Sequence, residues 1–214
     1  MNLLLIHGQG RTTNAMRLLG VRLQRRGHHI HYFRYYTRRE EFSQIVPRLV
    51  ATIQALPPDQ PYALIGHSMG GLLARASLPS LTKHPPAHLI MLASPSRPPR
   101  MAPLMKDNLL YRYLTSDCGQ RVGSAELYES LPTPTIPTTI IAGTGGPRNR
   151  WFPLAPEPND SVLTVQETQL GSEHQVLLVP ALHTFIMNSR KTFQHIEQIL
   201  RETGANPGVG RKSG

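Results

Sequence analysis

The sequence predicts an α/β fold, a mostly parallel sheet of about six strands with helices on both faces. Short apolar runs alternate with stretches of helical periodicity along most of the chain, which is typical of a parallel sheet. The chain has 214 residues, 39% of them hydrophobic, which is enough for one sizeable core. A Gly-x-Ser-x-Gly pentapeptide at residues 66–70 stands between an apolar run and a helical stretch. We therefore predict a single domain over residues 1–203.

The first half of the chain is predicted to contain three strands, each followed by a helix. The strands are placed at Asn2–Ile6, His29–Phe33 and 62–65, and the helices at 15–27, 40–56 and 69–78. Gly27 marks the end of the first helix, and Pro47 lies early within the second. The serine pentapeptide therefore joins the third strand to the third helix.

The second half continues this pattern with one long interruption. Strands are predicted at 87–93, 138–142 and Gln175–Val179, with a terminal helix over 185–200. Residues 94–131 lose strong periodicity and contain only a weak helical piece at 107–115, and we predict a lid-like insert over residues 94–135. An insert of this length is usually functional or disordered, and its position after the fourth strand is where a lid over a substrate would lie.

Two further expectations concern the insert and the C-terminus. Six apolar or aromatic side chains of the insert could line a lid or could equally be buried packing residues: Leu104, Met105, Leu109, Leu110, Tyr111 and Tyr113. Residues 204–214 are Gly-rich and basic, and we expect this tail to be disordered.

The formal net charge is +10, and the excess of arginine is concentrated early in the chain. The residues concerned are Arg17, Arg22, Arg25, Arg26, Arg34, Arg38 and Arg39. They are spread over an amphipathic helix and the segment after it, without a recognisable nucleic-acid-binding module. Solvated helix faces are therefore favoured over a nucleic-acid partner. Weak attraction to anionic lipid surfaces or to acidic substrates stays open.

Compartment signals are few. The single Cys118 allows no intramolecular disulfide. The apolar run at residues 3–6 has neither a basic stretch before it nor a small-residue cleavage site after it, which indicates a strand. No apolar run approaches the roughly 18 residues of a membrane span. We expect a cytoplasmic protein without a transmembrane segment.

Ser68 is the candidate nucleophile. Its flanking glycines, Gly66 and Gly70, suit a sharp strand-to-helix turn, because a side chain at either position would collide with the neighbouring strand or helix. Such a turn exposes the serine hydroxyl at a helix N-terminus, where backbone N–H groups favour developing negative charge. The alternative is a serine in a Gly-rich turn that merely connects two elements.

A serine hydroxyl needs a base within hydrogen-bond reach, and ten histidines compete for that role. His183 is preferred because it follows the end of the last strand, and in a parallel sheet that edge also carries Ser68. His174 precedes the same strand and should lie at the opposite edge. His195 lies inside the terminal helix, and His67 is expected to point away from the approach face of the serine.

The base needs an acid that fixes its tautomer and stabilises its cationic form. Of the four aspartates, only Asp160 lies in a loop downstream of the fifth strand. Glu157 and Glu167 are the fallback acids. An aspartate that follows an asparagine in a proline-rich loop is otherwise a turn former.

Two backbone N–H groups are the candidate oxyanion donors. One belongs to Met69, the residue after the nucleophile, and the other to Gln9 in the His7-Gly8-Gln9-Gly10 loop after the first strand. A phosphate-binding loop is the alternative for that segment. It lacks both Gly-x-Gly-x-x-Gly spacing and a P-loop lysine.

Together these motifs resemble the α/β-hydrolases, in particular the small bacterial lipase-like and esterase-like serine hydrolases. The resemblance runs from the loop after the first strand through the Gly-His-Ser-Met-Gly-Gly segment to Asp160 and His183, in the Ser, Asp, His order of that superfamily. It implies hydrolysis of small-molecule or lipid carboxylic esters through an acyl-enzyme on Ser68, with neither cofactor nor metal. Two departures are visible: the first antiparallel strands of larger members are missing, and Ser161 stands where many lipase-like members have glycine.

Three other functions stay open. An acyltransferase or thioesterase would use the same residues, and so would an amidase or peptidase. A non-catalytic binding protein on this scaffold would have an unreactive Ser68 and would bind an anionic partner in a salt-sensitive way.

Overall fold

The computed structural model describes residues 1–103, 118 and 120–205. Six strands form one sheet in the order β2-β1-β3-β4-β5-β6, and every neighbouring pair is parallel. The strands are β1 (Asn2–Ile6), β2 (His29–Phe33), β3 (Tyr62–His67), β4 (His88–Leu92), β5 (Thr138–Gly143) and β6 (Gln175–Val179). The predicted fold class is confirmed, with β3 ending two residues later than predicted because the strand runs up to Ser68 itself.

The helices follow the predicted alternation with shifted ends. They are α1 (Arg17–Gln24), α2 (Phe42–Gln54), α3 (Met69–Ser77), α4 (Ala125–Ser130), α5 (Val165–Thr168) and α6 (Arg190–Ala205). The predicted first helix opens instead with a 3-10 turn, Thr13–Met16, and its chain reverses at Gly27, whose φ of 87° is left-handed. A capping box between Glu41 and Gln44 sets the start of α2 two residues later than predicted.

Helices cover both faces of the sheet, as the sequence predicts. Leu4 and Ile6 of β1 pack with α2 and α3, while Leu3 and Leu5 of the same strand pack with α1 and α6. All four leucine and isoleucine side chains are at most 1% exposed. A strand buried on both faces needs a continuous apolar run, and β1 has one.

The insert predicted at 94–135 is described only in part. The weak helical piece at 107–115 and the six proposed lid-lining residues lie outside the described residues, so the lid stays a prediction. The described part contains α4, whose exit is tied to α3: the buried Arg75 guanidinium donates to the carbonyls of Leu131 and Pro132. Burial lowers the pKa of Arg75 to about 10.

The C-terminal helix α6 runs to Ala205, so it extends two residues beyond the predicted domain end at 203. Residues 204 and 205 of the tail are thus helical. The rest of the tail lies outside the described residues. Among the helices that the structure describes, none is long and apolar enough to cross a membrane.

Candidate active site

Ser68 lies at the sharp turn between β3 and α3. Its backbone has φ 52° and ψ −122°, a conformation that residues with a side chain disfavour. A Cβ added to Gly66 would lie 2.5 Å from the Gly71 amide nitrogen, and one on Gly70 would lie 2.6 Å from the His7 carbonyl oxygen. Only glycine at these two positions therefore lets α3 approach β3 and the end of β1 closely enough to hold the serine in this turn.

Ser68, His183 and Asp160 form a continuous hydrogen-bonded chain across the sheet edge. His183 Nε2 lies 3.1 Å from Ser68 Oγ, and His183 Nδ1 lies 2.8 Å from Asp160 Oδ2. A carboxylate can only accept, so Nδ1 carries the hydrogen and Nε2 presents its lone pair to the serine hydroxyl. The structure thus brings together three residues separated by up to 115 positions in sequence.

The Asp160 loop holds its carboxylate by several bonds. Asp160 Oδ1 accepts from the backbone N–H groups of Val162 and Leu163, at 2.9 and 2.7 Å. The Asp160 carbonyl accepts from the His183 N–H at 2.8 Å, so the acid and the base share a backbone bond as well as a side-chain bond. The carboxylate is 1% exposed, and every oxygen of it has a partner. This arrangement fixes both the position and the orientation of the His183 ring.

The fallback acids are engaged elsewhere. Glu157 pairs with Arg100, at 2.8 Å. Glu167 accepts from the Thr164 N–H at 2.7 Å in the capping box that opens α5. Neither forms a hydrogen bond with His183 among the contacts of the described residues.

The two candidate oxyanion donors lie on segments that border Ser68. Met69 opens α3, and N–H groups in the first turn of a helix have no intrahelical acceptor. The loop that carries Gln9 passes against the nucleophile, because a Cβ on Gly8 would lie 3.2 Å from Ser68 Cβ. The geometry places both segments at the serine, and the donor roles of Gln9 and Met69 stay a prediction.

His67 makes a contact with the catalytic base candidate that the sequence did not indicate. Its Nε2–H donates to the His183 carbonyl at 3.0 Å, and the two rings are 5.0 Å apart. Burial and the neighbouring His183 hold the pKa of His67 well below its usual range, so it stays neutral. Sequence reasoning missed this contact because a bond from a side chain to a backbone carbonyl has no motif or spacing that marks it in the sequence.

The remaining candidate histidines lie away from the site. His174 comes before β6, at the opposite edge, and pairs with Glu173. His195 lies within α6. Within the described ranges, no group of three or more His, Cys, Asp or Glu side chains could hold a metal ion.

Comparison with known proteins shows that the fold of this chain is similar to the folds of several lipases and esterases. A family model of the thioesterase domain matches residues 3–107. A mature lipase from Bacillus licheniformis superposes with a TM-score of 0.70 at 14% identity, over 93% of this chain and 91% of the lipase. A metagenomic carboxyl esterase gives 0.74 at 15% identity, over 96% of this chain and 76% of the esterase.

A thioesterase is among the similar structures as well. The RedJ thioesterase from the prodiginine biosynthetic pathway of Streptomyces coelicolor gives a TM-score of 0.63 at 18% identity, over 94% of this chain and 85% of the thioesterase. No curated protein matches the sequence significantly. At these identities the structural likeness establishes a shared fold.

Proposed function

The chain has the fold of a small α/β-hydrolase, and on that premise we propose that it is a serine hydrolase that cleaves carboxylic esters through an acyl-enzyme on Ser68. The observation that carries the proposal is the chain of hydrogen bonds from Ser68 through His183 to Asp160, at 3.1 and 2.8 Å. The strained turn at Ser68 supports it, since backbone strain of this kind persists where the surrounding structure holds it for function.

In the acylation step, Ser68 Oγ forms a bond to the ester carbonyl carbon while its proton passes to His183 Nε2. The carbonyl oxygen becomes an oxyanion, which the N–H groups of Met69 and Gln9 stabilise. The tetrahedral intermediate then collapses: the bond to the alcohol oxygen breaks, and His183 gives its proton to that oxygen. Asp160 stabilises the imidazolium that exists between these two transfers.

Deacylation repeats the sequence with water. His183 takes a proton from a water molecule whose oxygen attacks the acyl carbon, and a second oxyanion forms at the same two donors. When this intermediate collapses, the bond to Ser68 Oγ breaks and His183 returns the proton to the serine. The carboxylic acid leaves and the free enzyme is restored.

Thioester hydrolysis is the second candidate, because the thioesterase family model covers the segment that carries Gln9, Ser68 and Met69. The same residues would serve, with a thiol in place of the alcohol as leaving group. Thiolates leave without prior protonation more readily than alkoxides, so this reaction depends less on His183 as an acid. An acyltransferase is the related alternative, in which an added alcohol or thiol replaces water.

The first test is labelling of the purified protein with a fluorophosphonate probe, followed by turnover of p-nitrophenyl esters from acetate to palmitate and of matched acyl thioesters. We expect the wild type to label. Ser68→Ala and His183→Ala should lose roughly 10⁴-fold or more in turnover, with Asp160→Asn losing a similar or somewhat smaller factor. His174→Ala is the matched control and should keep full activity. A folded wild type that neither labels nor turns over any ester or thioester would refute the proposal.

The proposed location and binding partners of the protein follow from its charge and its proposed substrates. We place the protein in the cytoplasm, acting on small or lipid-like esters, with weak attraction to anionic surfaces and no nucleic-acid partner. Part of the basic surface is internally engaged: Arg26 pairs with Glu197, Arg48 with Glu40, and Arg22 donates to the Asn188 carbonyl. Binding to anionic vesicles should therefore be weak and should disappear at high salt.

A further inference from the structure

A buried aromatic pair lies directly behind the loop that carries Gln9. Tyr35, just after β2, and His7, just after β1, stack with ring centroids 4.1 Å apart and an interplanar angle of 4°. Tyr35 is 0% exposed and His7 is 1% exposed. Neither side chain belongs to the Ser68–His183–Asp160 chain, and neither takes part in the proton transfers of ester hydrolysis.

Two hydrogen bonds connect this pair to the loop. The Tyr35 hydroxyl donates to the His7 carbonyl at 2.6 Å, and His7 Nδ1 lies 2.9 Å from the Gly8 carbonyl. A carbonyl can only accept, so His7 carries its hydrogen on Nδ1. The pair therefore holds two successive peptide groups. Tyr35 bonds the carbonyl oxygen of the His7–Gly8 peptide, and the His7 ring bonds the carbonyl oxygen of the Gly8–Gln9 peptide.

Peptide geometry links the second bond to the oxyanion donor. In a planar trans peptide the C=O of one residue and the N–H of the next point in opposite directions. With the Gly8 oxygen held at the His7 ring, the Gln9 N–H must point away from that ring. Gly8 itself borders Ser68, since a Cβ added to it would fall 3.2 Å from Ser68 Cβ and 2.7 Å from His67 Nδ1.

We propose that Tyr35 and His7 are positioning residues that lock the Gly8–Gln9 peptide and so aim the Gln9 N–H at the oxyanion. This inference rests on the proposed serine hydrolase function. Neither residue contacts the reacting atoms; each acts through the backbone of the loop. Losing one oxyanion donor typically costs about 10²- to 10³-fold in kcat, so a misaimed donor should cost a substantial part of that factor.

The surroundings keep both groups in the form that this role needs. Burial holds the pKa of Tyr35 well above its usual range, so the hydroxyl remains a donor. Burial also lowers the pKa of His7, so the ring is neutral near pH 7. The His7 carbonyl packs against the first turn of α3, where Gly70 leaves room for it, and this ties the loop to the element that presents Ser68.

The chain contains a matched control for the Tyr35 hydroxyl. Tyr62 is also 0% exposed, donates to a histidine carbonyl, that of His84, at 2.7 Å, and contacts the ring of the same histidine, with centroids 4.9 Å apart. Tyr62 opens β3, whereas Ser68 follows its end, so the two tyrosines serve opposite edges of the sheet. Tyr35→Phe and Tyr62→Phe thus remove equivalent bonds at different distances from the site.

The test measures kcat and KM for p-nitrophenyl butyrate, inhibition by a trifluoromethyl ketone that places an oxyanion at the site, and the melting temperature of each variant. Both variants should lose similar stability. Tyr35→Phe should lower kcat about tenfold or more with KM within about twofold, and should weaken the ketone by a similar factor, because the donor acts on the oxyanion. Tyr62→Phe should leave all three kinetic quantities near wild type.

A second pair of variants tests His7 and keeps the experiment decisive if Tyr35→Phe does not fold. His7→Leu removes the donor to the Gly8 carbonyl, whereas His7→Asn retains an N–H in a similar place, so kcat should fall with Leu and recover in part with Asn. An active wild type with equal kcat in both tyrosine variants, or with equal kcat in both His7 variants, overturns the inference and leaves the hydrolase function standing. An inactive wild type overturns both.

Discussion

At the scale of single residues, Ser161 stands at a position where many lipase-like proteins have glycine, and its backbone conformation explains that preference for glycine. Its φ of 83° lies in the left-handed region, directly after Asp160. Glycine is the residue that adopts this region without strain, which is the physical reason for the glycine that many lipase-like proteins have there. The Ser161 N–H donates to Asn159 Oδ1 at 2.9 Å, and this bond helps to hold the conformation despite the side chain.

Ser161→Gly should therefore raise the free energy of unfolding by roughly 0.5 to 1 kcal/mol, because relief of the strain exceeds the added entropy of glycine in the unfolded chain. Ser161→Ala is the matched control and should give no gain, since its Cβ keeps the strain. Urea unfolding of the three proteins measures the difference. Equal stability of the Gly and Ala variants would show that the left-handed backbone stores no strain here.

At the scale of elements, α2 contains Pro47 at its sixth residue and nevertheless continues to Gln54. Proline has no N–H, so the Ser43 carbonyl four residues earlier lacks its intrahelical partner. Both Pro47 and Ser43 are exposed, and water can satisfy that carbonyl. The buried side of the helix, including Ile45 and Leu49, packs on the sheet and outweighs the loss. Tertiary packing thus overrides the local preference.

Replacing Pro47 with Ala should restore the missing helix bond and raise the free energy of unfolding by about 1 to 2 kcal/mol, after allowance for the stiffer unfolded chain that proline provides. Thr52 is a half-buried residue of the same helix, and its hydroxyl bonds the Arg48 carbonyl within that helix, at 2.8 Å. Thr52→Ala therefore changes mainly helix propensity and should gain only about half a kcal/mol. Thermal and urea unfolding compare the two. A Pro47→Ala gain no larger than that of Thr52→Ala would mean that α2 already accommodates the proline without cost.

At the scale of the whole molecule, buried neutral histidines make stability depend on pH. His88, at the start of β4, joins the sheet to α6 through the hydroxyls of Thr139 and Thr203, at 2.9 and 3.1 Å. Burial lowers the pKa of His88 to about 4. The pKa values of His7 and His67 are lowered for the same reason.

A lowered histidine pKa means that the unfolded chain binds the proton first. Stability should therefore be constant above about pH 6.5 and fall as the pH drops from 6.5 toward 4, with His88 contributing roughly 1 to 2 kcal/mol of the loss at pH 5. His88→Gln keeps hydrogen-bonding groups but cannot titrate, so its free energy of unfolding should depend less on pH over that range. Urea unfolding of both proteins at pH 7.5 and pH 5 measures this difference. If the variant lost as much stability as the wild type between these pH values, His88 would not be a source of the pH dependence.

The sequence alone determined the α/β class and the six strands, because both depend on local periodicity. It also determined that Ser68 follows β3, that Asp160 lies in the loop after β5 and that His183 follows β6. Because the carboxyl ends of parallel strands lie at one edge of a sheet, the order of the strands alone predicts that Ser68, Asp160 and His183 lie at the same edge. Tertiary structure alone decided the contact of His67 with His183 and the stack of Tyr35 on His7. Both contacts depend on how distant segments pack against each other. Such packing produces no periodic pattern in the sequence, so the sequence does not indicate which side chains will be neighbours.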